Sequence, residues 1–312
     1  MKLSFEQIKS ITKGVVRIEE QADGIHFFKC TEKQLAAHEA DNRLGAALTT
    51  TGVRLDFHTD SGHLSFRAAG GKKFEILVNN EIYKRFFSEE EGFDVACTLP
   101  QGEKRVTVAL PSHYVGIIKD FELDDGASVK PHTYATKLLF IGDSITQGWN
   151  SVFDTNSFAW RVTRHYDADS IINGIGGTVH LPAAVDNTEF RPDMLLTALG
   201  CNDFGRYQTL DELKSAVSGV LGQLKEFYRD AKLVTVLPTW RADDETPRSM
   251  GMFAQCRSTI REIAEGFGYA VIDGYELIPH VSELFADTVH PNDMGFELFA
   301  KNLIKALDEL KG

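Results

Sequence analysis

The strongest constraint on this 312-residue chain is a change in its hydrophobic grammar near residue 124. From about Gly24 to Leu123, apolar residues come in short runs broken by turn residues. VRLDFHT puts Val53, Leu55 and Phe57 on one face and Arg54, Asp56 and His58 on the other. LSFRAA, FEILVNNEIYKRF, FDVACTL, KRVTVAL and VGIIKDFEL follow, separated by DSGH, NN, EEEG, PQGE and PSH. Period-two alternation between turn clusters spaced about 8–12 residues apart predicts an antiparallel β-sandwich, here of the jelly-roll sort. A short helix is expected before it, over Phe5–Thr12.

Past DDGASVKPHTYAT (residues 124–136), a small, acidic, proline-bearing stretch that reads as a linker, the pattern is different. KLLFIG, DMLLTALG and KLVTVL are unbroken apolar runs, as parallel strands covered on both faces require, and IIN and AVI are shorter candidates. Between them lie helical patterns. In LDELKSAVSGVLGQLKEF, the residues Leu213, Val217, Val220, Leu221, Leu224 and Phe227 recur at three and four. A last helix is predicted near Asp293–Leu310. Alternating strands and helices predict a doubly wound parallel α/β domain. The expected division is residues 1–130 for the all-β unit and 131–312 for the α/β unit.

Composition narrows the function. A formal net charge of −12 argues against a phosphate backbone or an anionic membrane as partner. No run approaches the roughly 18 apolar residues of a membrane span. The start, MKLSFEQIKS, lacks the apolar core of a secretory signal. The four cysteines are far apart and form no CxxC pair, so a reduced, cytoplasmic protein is expected. With no HExxH, EF-hand or P-loop pattern, neither metal nor cofactor is expected. NGIGGT is not a dinucleotide turn, because Val179 stands where the last glycine of G-x-G-x-x-G belongs.

In open α/β sheets ligands bind beyond the carboxyl ends of the strands. Those positions hold Gly142, Asp143 and Ser144, then Gly174, Gly176 and Gly177, then Gly200, Cys201, Asn202 and Asp203. Asp287 and His290, in DTVHP, precede the last helix. A hydroxyl, a glycine turn, an amide and an acid–imidazole pair make the kit of a nucleophilic hydrolase. Ser144 could simply cap a helix, and Asp287 and His290 could cap the last one. In the catalytic reading Ser144 attacks, His290 takes its proton and Asp287 holds the imidazole. The N–H groups of Ser144 and a glycine, with the Asn202 amide, would face the oxyanion. A helix after Ser144 would aim its positive end there. Asp143 and Asp203 are assigned to loop-shaping hydrogen bonds, and Cys201 to a buried spacer. Trp149, Trp240 and His180 are candidates for lining the pocket, whereas Trp160 reads as core.

GDSIT (142–146), NGIGGT (173–178), GCND (200–203) and DTVH (287–290) resemble, in order and spacing, the four sequence blocks of the SGNH/GDSL hydrolase superfamily. The resemblance covers Lys137 to the C-terminus. It implies that Ser144 is the nucleophile, that Asp287 and His290 complete the triad, and that Asn202 and Gly177, with Gly176 as the alternative, complete the oxyanion hole. A jelly-roll-like unit leading into GDSIT is similar to the acetyl esterases of carbohydrate esterase family 2, and PSHYVGIIKDFEL (111–123) resembles the H-x-V-x-L-x-K-x-x-E run that ends their β domain. The expected activity is therefore removal of small acyl groups, above all acetyl, from a sugar or oligosaccharide. A homo-oligomer is compatible with this. The alternatives are a lysophospholipase or thioesterase of the same superfamily, and a carbohydrate-binding protein with an inactive hydrolase domain.

Overall fold

A computed structural model of the chain describes residues 1–90 and 92–310. Two antiparallel sheets form the N-terminal half. In one the strand order is Thr12–Lys13, Arg54–Thr59, Lys104–Ala109, Lys73–Val78 and Glu81–Phe87. In the other it is Arg17–Gln21, Gly24–Phe28, Ile117–Leu123, His63–Gly70 and Phe93–Thr98. The expected apolar faces enclose a core in which Leu55, Phe57, Phe66, Phe74, Val106, Val108 and Ile118 are almost fully buried. The first helix, Phe5–Ile11, starts with a capping box from Ser4 and Gln7.

The polar face of Arg54–Thr59 is not turned to water. Arg54 donates to Ala168 O at 2.8 Å, and Asp56 accepts from Arg105 at 2.8 and 2.7 Å. Arg105 also pairs with Asp167. The face that alternation marks as exterior is the seam between the two halves, where buried charges are paired with each other, as burial demands. The presumed linker belongs to this seam. Lys130–Pro131 adds to the edge of Arg54–Thr59, and Tyr134 donates to Asp56.

Two helices were not expected within the β-rich half: Glu32–Ala40, boxed by Thr31 and Gln34, and Leu44–Leu48. They fill the excursion between strands Gly24–Phe28 and Arg54–Thr59, and the second of them reaches the pocket described below.

The C-terminal half is a five-stranded parallel sheet ordered Ala168–Gly174, Thr136–Gly142, Met194–Ala198, Lys232–Val236, Ala270–Ile272. Helix Phe158–His165 packs on Asp293–Glu309, and Leu210–Phe227 on Phe253–Gly266. Right-handed crossovers put these two pairs on opposite faces. The order reverses between the strands Thr136–Gly142 and Met194–Ala198, so a crevice opens beyond their carboxyl ends. Among the described residues, no helix is long and apolar enough to cross a membrane.

Candidate active site

Ser144 follows the strand Thr136–Gly142 and begins a single helical turn, Ser144–Gln147, which ends at Gly148 with φ +88°. The cap of that turn is Asp143, whose carboxylate accepts from Ile145 N at 2.9 Å. The Ser144 hydroxyl is therefore not consumed as a cap. It lies 2.8 Å from His290 Nε2 instead. The expected helix after Ser144 is only one turn long. A dipole accumulates over aligned peptides, so individual N–H groups, rather than a macrodipole, are what this turn offers.

His290 sits in the loop before the last helix. That helix is capped by Asn292, which accepts from Met294 N and Gly295 N, so Asp287 and His290 are not its caps. Asp287 folds back onto its neighbours. It accepts from Val289 N and His290 N, both at 2.8 Å, and from Asn150 Nδ2 at 2.9 Å. Its Oδ2 is 2.8 Å from His290 Nδ1. Burial alone would raise this carboxyl, but the N–H groups of His290 and Val289 and the adjoining imidazole together hold it below the usual carboxylate range. An ionised carboxylate on Nδ1 keeps the proton there and turns the Nε2 lone pair toward the Ser144 hydroxyl.

The strand Ala168–Gly174 runs into the turn Gly174–Thr178. Gly177 has φ +78°, a conformation that L side chains rarely adopt, and a Cβ there would lie 2.6 Å from Arg43 Nε. After the strand Met194–Ala198 comes Asn202, whose Nδ2 gives one N–H to Thr178 O at 3.0 Å. An amide nitrogen carries two N–H groups, so a second remains for a ligand oxygen. Ser144, Gly176, Gly177, Asn202 and His290 line one pocket of about 510 Å³, together with Gln147 and Trp149. Gly45, Ala46, Thr49 and His113 of the β-rich half complete its wall.

Of the three side chains singled out as pocket candidates, Trp149 lines the pocket and is 45% exposed. Its indole lies between two imidazoles, with ring centroids 5.1 Å from His113 and 6.4 Å from His290. Trp240 and His180 do not line it. Trp240 stacks on His280 and packs against Phe285. It follows Lys232–Val236, one strand beyond the switch point. His180 is 1% exposed, with Nδ1 2.7 Å from Asp203 Oδ1, and so braces the loop behind the turn. Cys201 is buried, and burial pushes its thiol well up, away from the thiolate a nucleophile would need. His113, Thr49, Gly45 and Ala46 escaped the sequence reading. Only His113 had a signal there, as the first residue of HYVGIIKDFE; the others depend on the unexpected helix Leu44–Leu48.

Burial pushes the Asp143 carboxyl up to about 7, with the Ile145 N–H opposing the rise and the Asp203 charge adding to it. An acid whose pKa rises on folding stabilises the fold fully below its unfolded pKa of about 3.9 and loses that contribution as pH climbs toward its folded value. Asp143→Asn keeps an acceptor for Ile145 N but cannot ionise. Its stability relative to the parent, from urea titrations, is expected to increase between pH 4 and 7 and then level off. Asp143→Ala, which also loses the cap, is expected to cost roughly 1 kcal/mol more.

A model of the GDSL-like lipase/acylhydrolase family matches residues 140–298. No curated protein matches the sequence. Among solved structures, a salicylyl-acyltransferase from a tetracycline biosynthetic pathway is similar with TM-score 0.86 at 18% identity, over 96% of this chain and 94% of that one. A family two carbohydrate esterase from Clostridium thermocellum, in complex with cellohexaose, is similar with TM-score 0.68 at 16% identity, over 84% and 93%. One from Cellvibrio japonicus is similar with TM-score 0.69 at 15% identity, over 97% and 96%.

Proposed function

Because the chain belongs to the GDSL-like lipase/acylhydrolase family, we propose that it is a serine esterase that removes small acyl groups, above all acetyl, from a carbohydrate through an acyl-enzyme. The observation that carries this is the relay from Asp287 through His290 to the Ser144 hydroxyl, at the wall of an open pocket. Ser144 Oγ attacks the ester carbonyl as its proton passes to His290 Nε2. The carbonyl oxygen becomes an anion facing the N–H groups of Ser144 and Gly177 and the Asn202 amide. The intermediate collapses, the alcohol leaves with the proton from His290, and the acyl group stays on Ser144. Water, deprotonated by the same imidazole, then releases the acid and restores the hydroxyl.

Two features support a sugar as the alcohol. Trp149 offers a partly exposed aromatic face beside His290, where the leaving group must be protonated. The fold is also that of family two carbohydrate esterases. Acetate release from a panel of acetylated mono- and oligosaccharides tests this, alongside C2 and C8 p-nitrophenyl esters. Faster turnover of the C2 ester and of acetylated sugars is expected. Preference for C8 would favour the lysophospholipase or thioesterase alternative. Replacing Asn202 with alanine is expected to lower kcat by about 10²–10³-fold with little change in KM, as loss of one oxyanion donor does elsewhere.

A second reading, transfer of the acyl group to an alcohol in place of water, is favoured by the likeness to the salicylyl-acyltransferase over nearly the whole chain. Ester formation on adding an alcohol to a reacting mixture would distinguish it.

We further propose two units, residues 1–130 and 131–312: one apolar cluster lies wholly within the first, and the other is built almost entirely from the second, with Leu77 and Ala109 joining it from the first. With the outer strands Thr12–Lys13 and Arg17–Gln21 set aside, the two antiparallel strand orders fit a double Greek-key roll, which supports a jelly-roll assignment for the first. The four free cysteines support a cytoplasmic setting.

A further inference from the structure

The single turn that begins with Ser144 ends in a side chain directed at the other half of the molecule. Gln147 is 2% exposed. Its Nε2 donates to Ser112 O at 2.8 Å and to Thr49 Oγ1 at 3.3 Å, both in the β-rich half. With its two N–H groups so placed, the amide plane is fixed and Oε1 points the opposite way. Among the described residues Oε1 has no hydrogen-bond partner. It abuts the glycine turn, where a Cβ on Gly176 would lie 2.9 Å from it, and a Cβ on Gly174 would overlap the Gln147 backbone.

Thr49 is itself held firmly. Its hydroxyl donates to Ala46 O at 2.8 Å and accepts from the buried Lys29 Nζ at 2.9 Å, which also donates to Ala47 O and Thr49 O. The β-rich half touches the turn twice more. Cys30 Sγ donates to Asn173 Oδ1 at 3.3 Å, and the Arg43 guanidinium lies against Gly177. A buried acceptor without a partner carries a desolvation penalty. Leucine or methionine would fill the space without it, so filling space does not account for an amide here.

We infer that Gln147 is a positioning residue: gripped by the β-rich half through Ser112 and Thr49, it sets where the turn Gly174–Gly177 lies relative to Ser144. The inference deepens the esterase proposal and rests on it. The oxyanion site is then assembled by both halves of the chain, and the β-rich half is part of the catalytic unit rather than an accessory to it. Gln147 does not touch the reacting atoms. It acts through the Gly177 N–H, whose contribution is made in the transition state and not in substrate binding.

The test is a variant series on p-nitrophenyl acetate. Gln147→Leu keeps the bulk and loses both hydrogen bonds; kcat is expected to fall about 10- to 100-fold, as for a misplacement of about 1 Å, with KM within roughly threefold. Thr49→Val should fall in the same direction and Thr49→Ser should recover, since the hydroxyl returns. The double variant Gln147→Leu/Thr49→Val should be no worse than Gln147→Leu alone, because one connection is being cut twice. Amide hydrogen exchange at Gly176 and Gly177 should quicken in Gln147→Leu, a readout that does not depend on turnover. The inference is overturned by a kcat within about twofold of the parent, by a loss confined to KM, or by additive effects in the double variant. Absence of any Ser144-dependent turnover in the parent overturns the esterase reading itself, and the clamp with it. Normal parent turnover with an unaffected Gln147→Leu overturns the clamp alone.

Discussion

Ser144→Ala is expected to lower kcat on p-nitrophenyl acetate by at least about 10⁴-fold, the scale of losing a nucleophile that works as a unit with its base. The thermal midpoint should move little. Ser144 is 8% exposed, and its hydroxyl bonds to His290 and caps nothing, since Asp143 already serves Ile145 N. Removing one oxygen leaves the turn, its cap and the pocket walls intact. A variant that keeps its fold and loses turnover places the chemistry on that oxygen. Equal loss of fold and turnover would instead point to a structural serine.

Asp287→Asn should be the second largest effect, about 10²- to 10⁴-fold in kcat. The reason is a tautomer. Asp287 Oδ1 accepts from Val289 N and His290 N, and an asparagine oxygen can keep both of these loop bonds; the bond from Asn150 Nδ2, made to Oδ2, is lost with the charge. The carboxylate oxygen on His290 Nδ1 becomes an N–H. The imidazole must then carry its proton on Nε2, where it cannot accept from Ser144. The lower end of the range applies if water partly replaces the carboxylate, whose side chain is 45% exposed. Activity within tenfold of the parent would mean that His290 needs no orienting acid.

The α/β half was legible because its signals are local. A short unbroken apolar run bounded by turn residues fits a strand covered on both faces, and Leu213, Val217, Val220, Leu221 and Leu224 mark the buried stripe of Leu210–Phe227. Strand ends could be read as well, which is why Ser144, Gly177, Asn202 and His290 could be proposed together and do line one pocket. Direction was harder to read. Following a strand does not say which way a side chain points, and Trp240 turns toward His280 while Trp149 faces the pocket.

What stayed hidden depends on contacts between the halves. Arg54, Asp56 and His58 look like a solvated face because alternation reports polarity, not what lies opposite. Here Asp167 of the other half lies opposite, tied to Asp56 through Arg105 of the neighbouring strand. Thr49 and His113 join the pocket through docking of the two halves, for which local pattern carries no signature.

The most direct measurement of the central claim is peptide mass spectrometry on protein mixed with p-nitrophenyl acetate and quenched in acid before deacylation. One acetyl group is expected, on the peptide containing Ser144 and on that residue, absent from Ser144→Ala and longer-lived in Asn202→Ala. Turnover without any adduct at Ser144, or an adduct on another residue such as Cys201 that is kinetically competent, would contradict it.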